Sequence, residues 1–321
     1  MKVLQLGRYA LCSSVAAALL AGCGGSEPPI SAPGVMPQSS AQHGALPFSQ
    51  YLTSSGGEVQ YVTEEYPQRI AEYDYPKGDA PIRHWALKGF PTAACTKGSK
   101  TFWIVLSKAN EIVEFAVGRE KPIKTLTVTG GEPFDCAINP ASGDLAVPLA
   151  GTSGVVIFAK GSGSGQVFRD ELASNRFSTY DSNGNLFVNG FYHGNPALAE
   201  LPKKSAKFKL LSFSNHLSSE LAAGPIRWDG TYVAMHDGVG NIDAIYRYRA
   251  SGNVAKLEGT VTLEGATDCG WFWFLSQAGV LFCPDWNVQY VQVYKYPAGG
   301  SPIANLGPSR PYQAGIVSLE P

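Results

Sequence analysis

From about Gly57 to the end of the chain, short β-rich runs alternate with turns of Gly, Asn, Asp and Pro, and no stretch carries a helical period. Evenly spaced short strands point to a sandwich, a barrel or a propeller, and a repeat at a period of about 40 to 50 residues selects the propeller. Three separate markers recur. A strand ending in an aromatic or apolar pair before a turn appears as "AEYDYPKG", "VEFAVGRE", "VVIFAKGS", "LAELPKKS", "IYRYRASG" and "QVYKYPAG". A strand after a Gly or Lys turn appears as "GEVQYV", "KTFWIV", "GDLAV", "GNLFV", "GTYVAM" and "GVLFC". A third marker opens each unit as "FPTAACT", "EPFDCAI", "NRFSTYD", "GPIRWDG", "ATDCGWF" and "RPYQAGI". Each marker gives six copies.

Each unit therefore reads as inner strand, second strand, third strand and outer strand, joined by turns and loops. The folded part begins at a second strand and stops after an inner one. The sequence thus predicts an all-β, six-bladed β-propeller over 57–321. Its last blade takes three strands from about Gly57 to Leu87 and its innermost strand from "RPYQAGIVSL" at the C-terminus. Pairing the two ends removes the exposed edge that an open row of blades would present. Markers such as "EPFDCAINPASGDLAV" and "NRFSTYDSNGNLFV" followed by "VVIFAKG" or "LAELPKK" resemble the NHL-type repeats of six-bladed propellers. The "YPAGGSPIANL" unit is similar to blades of bacterial lipoproteins of uncharacterised function. The resemblance covers about 57–321 and implies a fold; propellers of this kind serve as lactonases, lyases, quinoprotein dehydrogenases and binding modules, so it does not choose an activity.

The N-terminal segment changes the picture of where this ring sits. Lys2 and Arg8 precede "YALCSSVAAALLAG", an apolar run too short to span a bilayer as a mature helix, so 1–22 reads as a secretory signal. It ends in "LAGC", which resembles the lipobox of bacterial lipoproteins and makes Cys23 the expected lipidation site. Each buried acyl CH₂ contributes about 0.8 kcal/mol, so two or more chains hold firmly. By the same resemblance, Gly24 rather than Asp after the cysteine points to the outer membrane. Residues 23–56, rich in Pro, Ser, Gly and Ala, cannot bury enough apolar surface to offset their ordering entropy and read as a tether.

Loss of Lys2 and Arg8 with the signal leaves 23 basic against 26 acidic residues, a net charge of −3. With no basic patch or charge run, nucleic acid is not an expected partner. A monomer is expected. Of six cysteines, Cys12 leaves with the signal and Cys23 takes lipid; Cys95, Cys136, Cys269 and Cys283 remain, an even number for an oxidising compartment. Cys269 and Cys283 face each other if the "LSQAG" hairpin turns near Ser276. Cys95 and Cys136 sit one repeat position apart on consecutive inner strands, so period-2 alternation turns them to opposite faces and lets them meet across the gap between blades.

In a propeller the first residues of the inner strands and the loops between second and third strands share one rim, here termed the upper face. The inner-strand position brings Ala93, Asp135, Ser178, Arg227, Asp268 and Gln313 to it, five of them polar. The loops add Glu64 and Glu65, Ser107 to Asn110, Tyr192 with His193, His236 with Asp237, and Asp285 with Trp286. This is the expected ligand-binding face. The same residues have plainer uses. Asp135, Arg227 and Asp268 can bridge neighbouring inner strands; His236-Asp237-Gly238 fits an Asp-Gly turn with the imidazole in solvent, and His193 precedes another turn; Trp286 can lid an interblade gap.

Chemistry at the rim is sparsely supplied. Asp135 and Asp268 offer hard oxygen ligands of the kind Ca²⁺ takes, but no glutamate stands at an inner-strand mouth and Arg227 between them opposes a cation. No Gly-x-Ser-x-Gly elbow is present, and no catalytic residue or resident cofactor is expected. The expectation is a lipid-anchored binding module for a small molecule, a glycan or an envelope protein. A metal-assisted hydrolase, lactonase or lyase and an envelope scaffold are the alternatives.

Overall fold

Turn glycines and alternating apolar positions cut the chain into short strands, and these pair in the expected order. The computed structural model describes residues 58–64, 67–75, 80–96, 98, 100–214, 223–237, 244–267, 269, 274–275, 279–285, 287–307 and 317–318. Among them, apart from the three-residue 3-10 turns Ser107–Ala109 and Ala159–Gly161, every helical or extended element is a strand. The architecture is an all-β propeller.

Among the described residues the strands form five hydrogen-bonded sheets, one of them eight-stranded, which divide into successive antiparallel runs. The first sheet is Pro91–Thr96, Thr101–Leu106, Glu111–Ala116 and Pro122–Thr127. In the second, an interrupted inner strand (Glu132–Pro133, then Ala137–Ile138) precedes Leu145–Ala150, Val155–Phe158 and Gln166–Phe168. The third is Asn175–Tyr180, Leu186–Tyr192, Asn195–Leu201 and Lys209–Phe213. The fourth is Ala223–Trp228, Val233–Asp237, Ala244–Ser251 and Val254–Thr262. The fifth is Phe274–Leu275, Val280–Asp285, Tyr290–Lys295 and Ala304–Leu306. The closing sheet is Glu58–Glu64, Arg69–Tyr75 and Pro81–Ala86, with Val317–Ser318 laid along Glu58–Glu64 as its innermost strand. Tyr61 pairs with Val317 and Gln60 with Ser318, so the two ends of the folded part meet in one sheet.

Apolar side chains fill the gaps between successive sheets and carry the core around the ring. Tyr61, Ile70 and Trp85 of the closing sheet pack against Phe102, Ile104 and Phe115 of the first. One cluster runs from Trp103 and Ile112 of the first sheet through Val147 and Val156 of the second to Phe187 of the third and Met235 and Tyr248 of the fourth. Ala234 and Ile245 meet Leu281 and Tyr294 of the fifth. Val280, Phe282 and Val293 meet Val62, Ala71 and Tyr73 of the closing sheet. Burying a large apolar side chain contributes about 1.5–3 kcal/mol, and here each sheet does so against both neighbours.

Two features depart from a simple reading of the repeats. The outer strands of the third and fourth sheets pair in parallel, Ser212 with Val254 and Phe213 with Ala255, and fuse these sheets along the perimeter. The inner strands of the first four sheets each carry one extra residue near their start. Two residues span Pro91 to Ala93 against one step on the partner strand; three span Asn175 to Ser178 and Ala223 to Ile226 against two; and Pro133 to Ala137 takes four against three. A bulge bends the strand and re-aims the side chains beside it.

Both expected disulfides are present. Cys95–Cys136 joins the inner strands of the first and second sheets with Cα atoms 5.8 Å apart, and Cys269–Cys283 spans 4.8 Å. The hairpin around the second bridge is displaced from the expected one. Phe274 pairs with Phe282 and Leu275 with Leu281, centring the ladder two residues beyond Ser276, so the bridge does not follow from the hairpin register. The signal, Cys23 and the tether lie outside the described residues.

Candidate functional site

The bulge at Phe134–Cys136 places Asp135 where it can reach two further inner strands. Its carboxylate is fully buried. Oδ2 accepts the Ser178 backbone N–H at 2.9 Å and Arg227 Nη1 at 3.2 Å, and Oδ1 lies 3.5 Å from Arg227 Nη2. Arg227 Nη1 also donates to the Ile226 carbonyl at 2.8 Å. Asp135, Ser178 and Arg227 thus come together as a tie across the second, third and fourth inner strands. Burial pushes the Asp135 carboxyl above the usual carboxylate range, against the opposing pull of Arg227 and the Ser178 and Cys136 N–H groups. A carboxylate so occupied has little left to offer a cation, and Arg227 beside it adds positive charge.

Other rim positions are less open than their sequence suggests. His236, expected in solvent, is buried on its strand opposite Ile245, because the second strand continues to Asp237 instead of turning at His236. Asp285 is fully buried: it accepts the N–H groups of Thr267, Asn287 and Val288 at 2.8, 2.9 and 3.2 Å and organises its own loop. Glu64 is buried in an ion pair with Arg69 at the end of the strand pair. His193 is exposed in a left-handed turn, φ 49°, edge-on to Tyr192. Ala93 is fully buried. Glu65, Asp268, Trp286, Gln313 and the Asp237 side chain lie outside the described residues. Among the described residues no three His, Cys, Asp or Glu side chains are grouped to hold a metal ion.

Polar groups, the expected rim residues Ser107 and Ser178 among them, collect beside the bulges and in the adjoining loops. Thr92 Oγ1, Asn175 Oδ1 and Ser178 Oγ, on residues at least 97% buried, have no hydrogen-bond partner, and Ser107 Oγ and Thr152 Oγ1 in the rim loops of the first and second sheets share this state. Asn175 is otherwise well held, its Nδ2 donating to the Gly154 carbonyl and to Asp170 Oδ2 at 2.9 and 2.5 Å. An unsatisfied buried polar group costs about 1–3 kcal/mol. Five of these oxygens lie on the inner strands and loops at the upper rim.

A further tie between strands goes beyond the sequence expectations. Asn189 interrupts the apolar strand "LFVNGFY"; its Oδ1 accepts the Phe177 N–H at 3.1 Å and its Nδ2 donates to the Gly224 carbonyl at 2.5 Å. Gly190 follows because a Cβ there would overlap the Ser174 carbonyl oxygen. The signal is legible in the sequence: a buried amide followed by glycine inside an otherwise apolar strand.

The chain's fold is similar to that of solved structures at low identity. A chain of a nidogen/laminin complex aligns with TM-score 0.62 and 12% identity, over 81% of this chain and 97% of that one. A protein of unknown function from Bacteroides caccae gives 0.60 and 14%, over 81% and 98%. Kuenenia stuttgartiensis hydrazine synthase gives 0.55 and 12%, over 80% and 91%. At such identities the likeness is one of fold. The sequence matches no protein-family model and no curated protein.

Proposed function

We propose that this chain is an envelope lipoprotein, held at the outer membrane through lipid on Cys23 and a tether over 23–56. Its NHL-like, six-bladed propeller binds a polar partner through the upper face without turning it over. The observation that carries this reading is the set of buried, unpartnered oxygens beside the inner-strand bulges, Thr92, Asn175 and Ser178, with Ser107 and Thr152 in the adjoining loops. Neutral hydroxyl and amide groups suit hydroxyls or peptide groups of a small molecule, a glycan or an envelope protein. The engagement of Asp135 by Ser178 and Arg227 favours recognition over acid–base or metal chemistry. Two disulfides agree with an oxidising compartment, and Lys2, Arg8 and the "LAGC" box support anchoring.

Two arms test the proposal. Cys23→Ala should release the protein from the membrane fraction; retention there would end the lipid-anchor reading. For the rim, Lys108 and His193 are exposed beside the candidate site, and Lys108→Glu with His193→Glu should abolish crosslinking to envelope components while leaving the melting curve unchanged. Undiminished crosslinking by the double variant would remove the upper face as the binding surface.

A further inference from the structure

The third and fourth sheets flank a half-open polar cleft at the opposite end of the strands. A cavity of about 270 Å³ lies between them, lined from the turns joining inner to second strands and from the third and outer strands. Strand alternation puts these parts on the lower face, away from the rim. The fused perimeter closes the cavity on its outer side, where Lys209 Nζ also donates to the Gly252 carbonyl at 2.9 Å. On the axial side, the Trp228 N–H donates to Thr179 Oγ1 at 2.8 Å and joins the two inner strands.

The lining is charged yet internally balanced. Glu200, 7% exposed, pairs with Lys209 at 3.0 Å. Arg249 lies over the Tyr232 ring, donates to its hydroxyl at 3.1 Å and stands 3.8 Å from Glu258. Asp181 is consumed by its own turn, accepting the N–H groups of Asn183 and Asn185 at 2.9 and 2.8 Å. Because each cation already has a carboxylate beside it, a bare anion gains little here, and because the walls are polar, an apolar ligand gains less. Asn183 and Thr231, both exposed in facing turns, add an amide and a hydroxyl; Trp228 adds an aromatic wall whose Nε1 is shielded from solvent and has no acceptor. The volume falls just below the usual range of ligand pockets, about 300–1,000 Å³, and suits a small ligand.

We infer that this cleft is a binding site for a neutral saccharide of one or two rings, whose hydroxyls meet the amide, hydroxyl and ion-paired groups and whose carbon face meets Trp228. The site is separate from the upper face and does not depend on the reading given for it. Ligand-observed NMR titration of the full-length chain with glucose, galactose and N-acetylglucosamine should show saturable binding of at least one, with affinity on the order of 1 mM. Asn183→Ala and Thr231→Ala, which keep their backbone turn bonds, should each weaken it roughly five-fold without moving the melting temperature. Lys108→Glu on the upper rim should leave it unchanged. The inference is overturned if none of the three sugars saturates, if acetate binds in their place, if the Asn183→Ala, Thr231→Ala double variant keeps full affinity, or if Lys108→Glu is the change that abolishes binding.

Discussion

Asp135 shows how one buried side chain can serve geometry at a cost in charge. Its carboxylate is fully buried while its partner Arg227 is partly exposed, and the desolvation of the carboxylate offsets much of their attraction. Removing one partner is another matter. Asp135→Ala leaves the Ser178 N–H without its acceptor and takes the carboxylate from Arg227, which keeps the Ile226 carbonyl, and should cost about 1–3 kcal/mol in urea unfolding at neutral pH; no measurable loss would show the tie to be dispensable. The pH dependence has a definite sign. Burial raises the folded-state pKa of Asp135 above its unfolded value, so its contribution is fully present below the unfolded pKa and is lost as pH rises through the folded one. Compared with Asp135→Asn, the wild type should therefore gain relative stability as the pH falls from 7 toward about 4. A difference that stays flat over that window, read from melts of both proteins in matched buffers, would contradict the raised pKa. Asn189 is readable as an oddity in an apolar strand, whereas the partners of Asp135 are not, because they stand 43 and 92 residues away along the chain.

At the scale of elements, the inner strands of the first four sheets share a device, one extra residue near the upper rim. Bulges concentrate where a sheet must re-aim side chains toward a site, and here they lie beside the unpartnered oxygens. Alternation predicts strands but not bulges, since an inserted residue only shifts the phase of the pattern. The same limit displaced the hairpin after Cys269. The cysteines themselves were legible by position, and their stabilising effect follows from loop length. In the chain-entropy account the Cys95–Cys136 bridge, 41 residues apart, contributes about 4 kcal/mol and the Cys269–Cys283 bridge, 14 apart, about 3 kcal/mol. The Cys95→Ser, Cys136→Ser double variant should accordingly melt below the Cys269→Ser, Cys283→Ser one; the reverse order would mean that loop closure does not set their relative contributions.

For the whole molecule, the closing sheet is the point on which the ring depends. Tyr61 stacks on Phe102 with centroids 4.4 Å apart, meets Trp85 edge-on at 5.6 Å, and accepts the Gly118 N–H on its hydroxyl at 2.9 Å; burial pushes that hydroxyl's pKa up to about 12. On the other side of the same strand Val62 joins the cluster shared with the fifth sheet. Losing the C-terminal strand exposes the edge of Glu58–Glu64 and loosens the joint through which both neighbours are tied. Deletion of the last eleven residues should therefore lower the single unfolding transition of the entire ring, followed by far-UV and tryptophan signals together. A truncated protein that melts like its parent would show that the pairing of Tyr61 with Val317 is not needed.

What the amino-acid sequence determined by itself was periodic: the strand class, the recurring strand unit, the meeting of the two ends, and the joining of Cys95 to Cys136. These follow from local alternation and from spacing that recurs down the chain, so each copy reinforces the others. The fused edge of the third and fourth sheets, the bulges, the burial of His236 and Asp285, and the polar cleft on the lower face belong to the tertiary structure. They depend on distances between residues far apart in sequence and on single-residue shifts of register, and neither leaves a period to read.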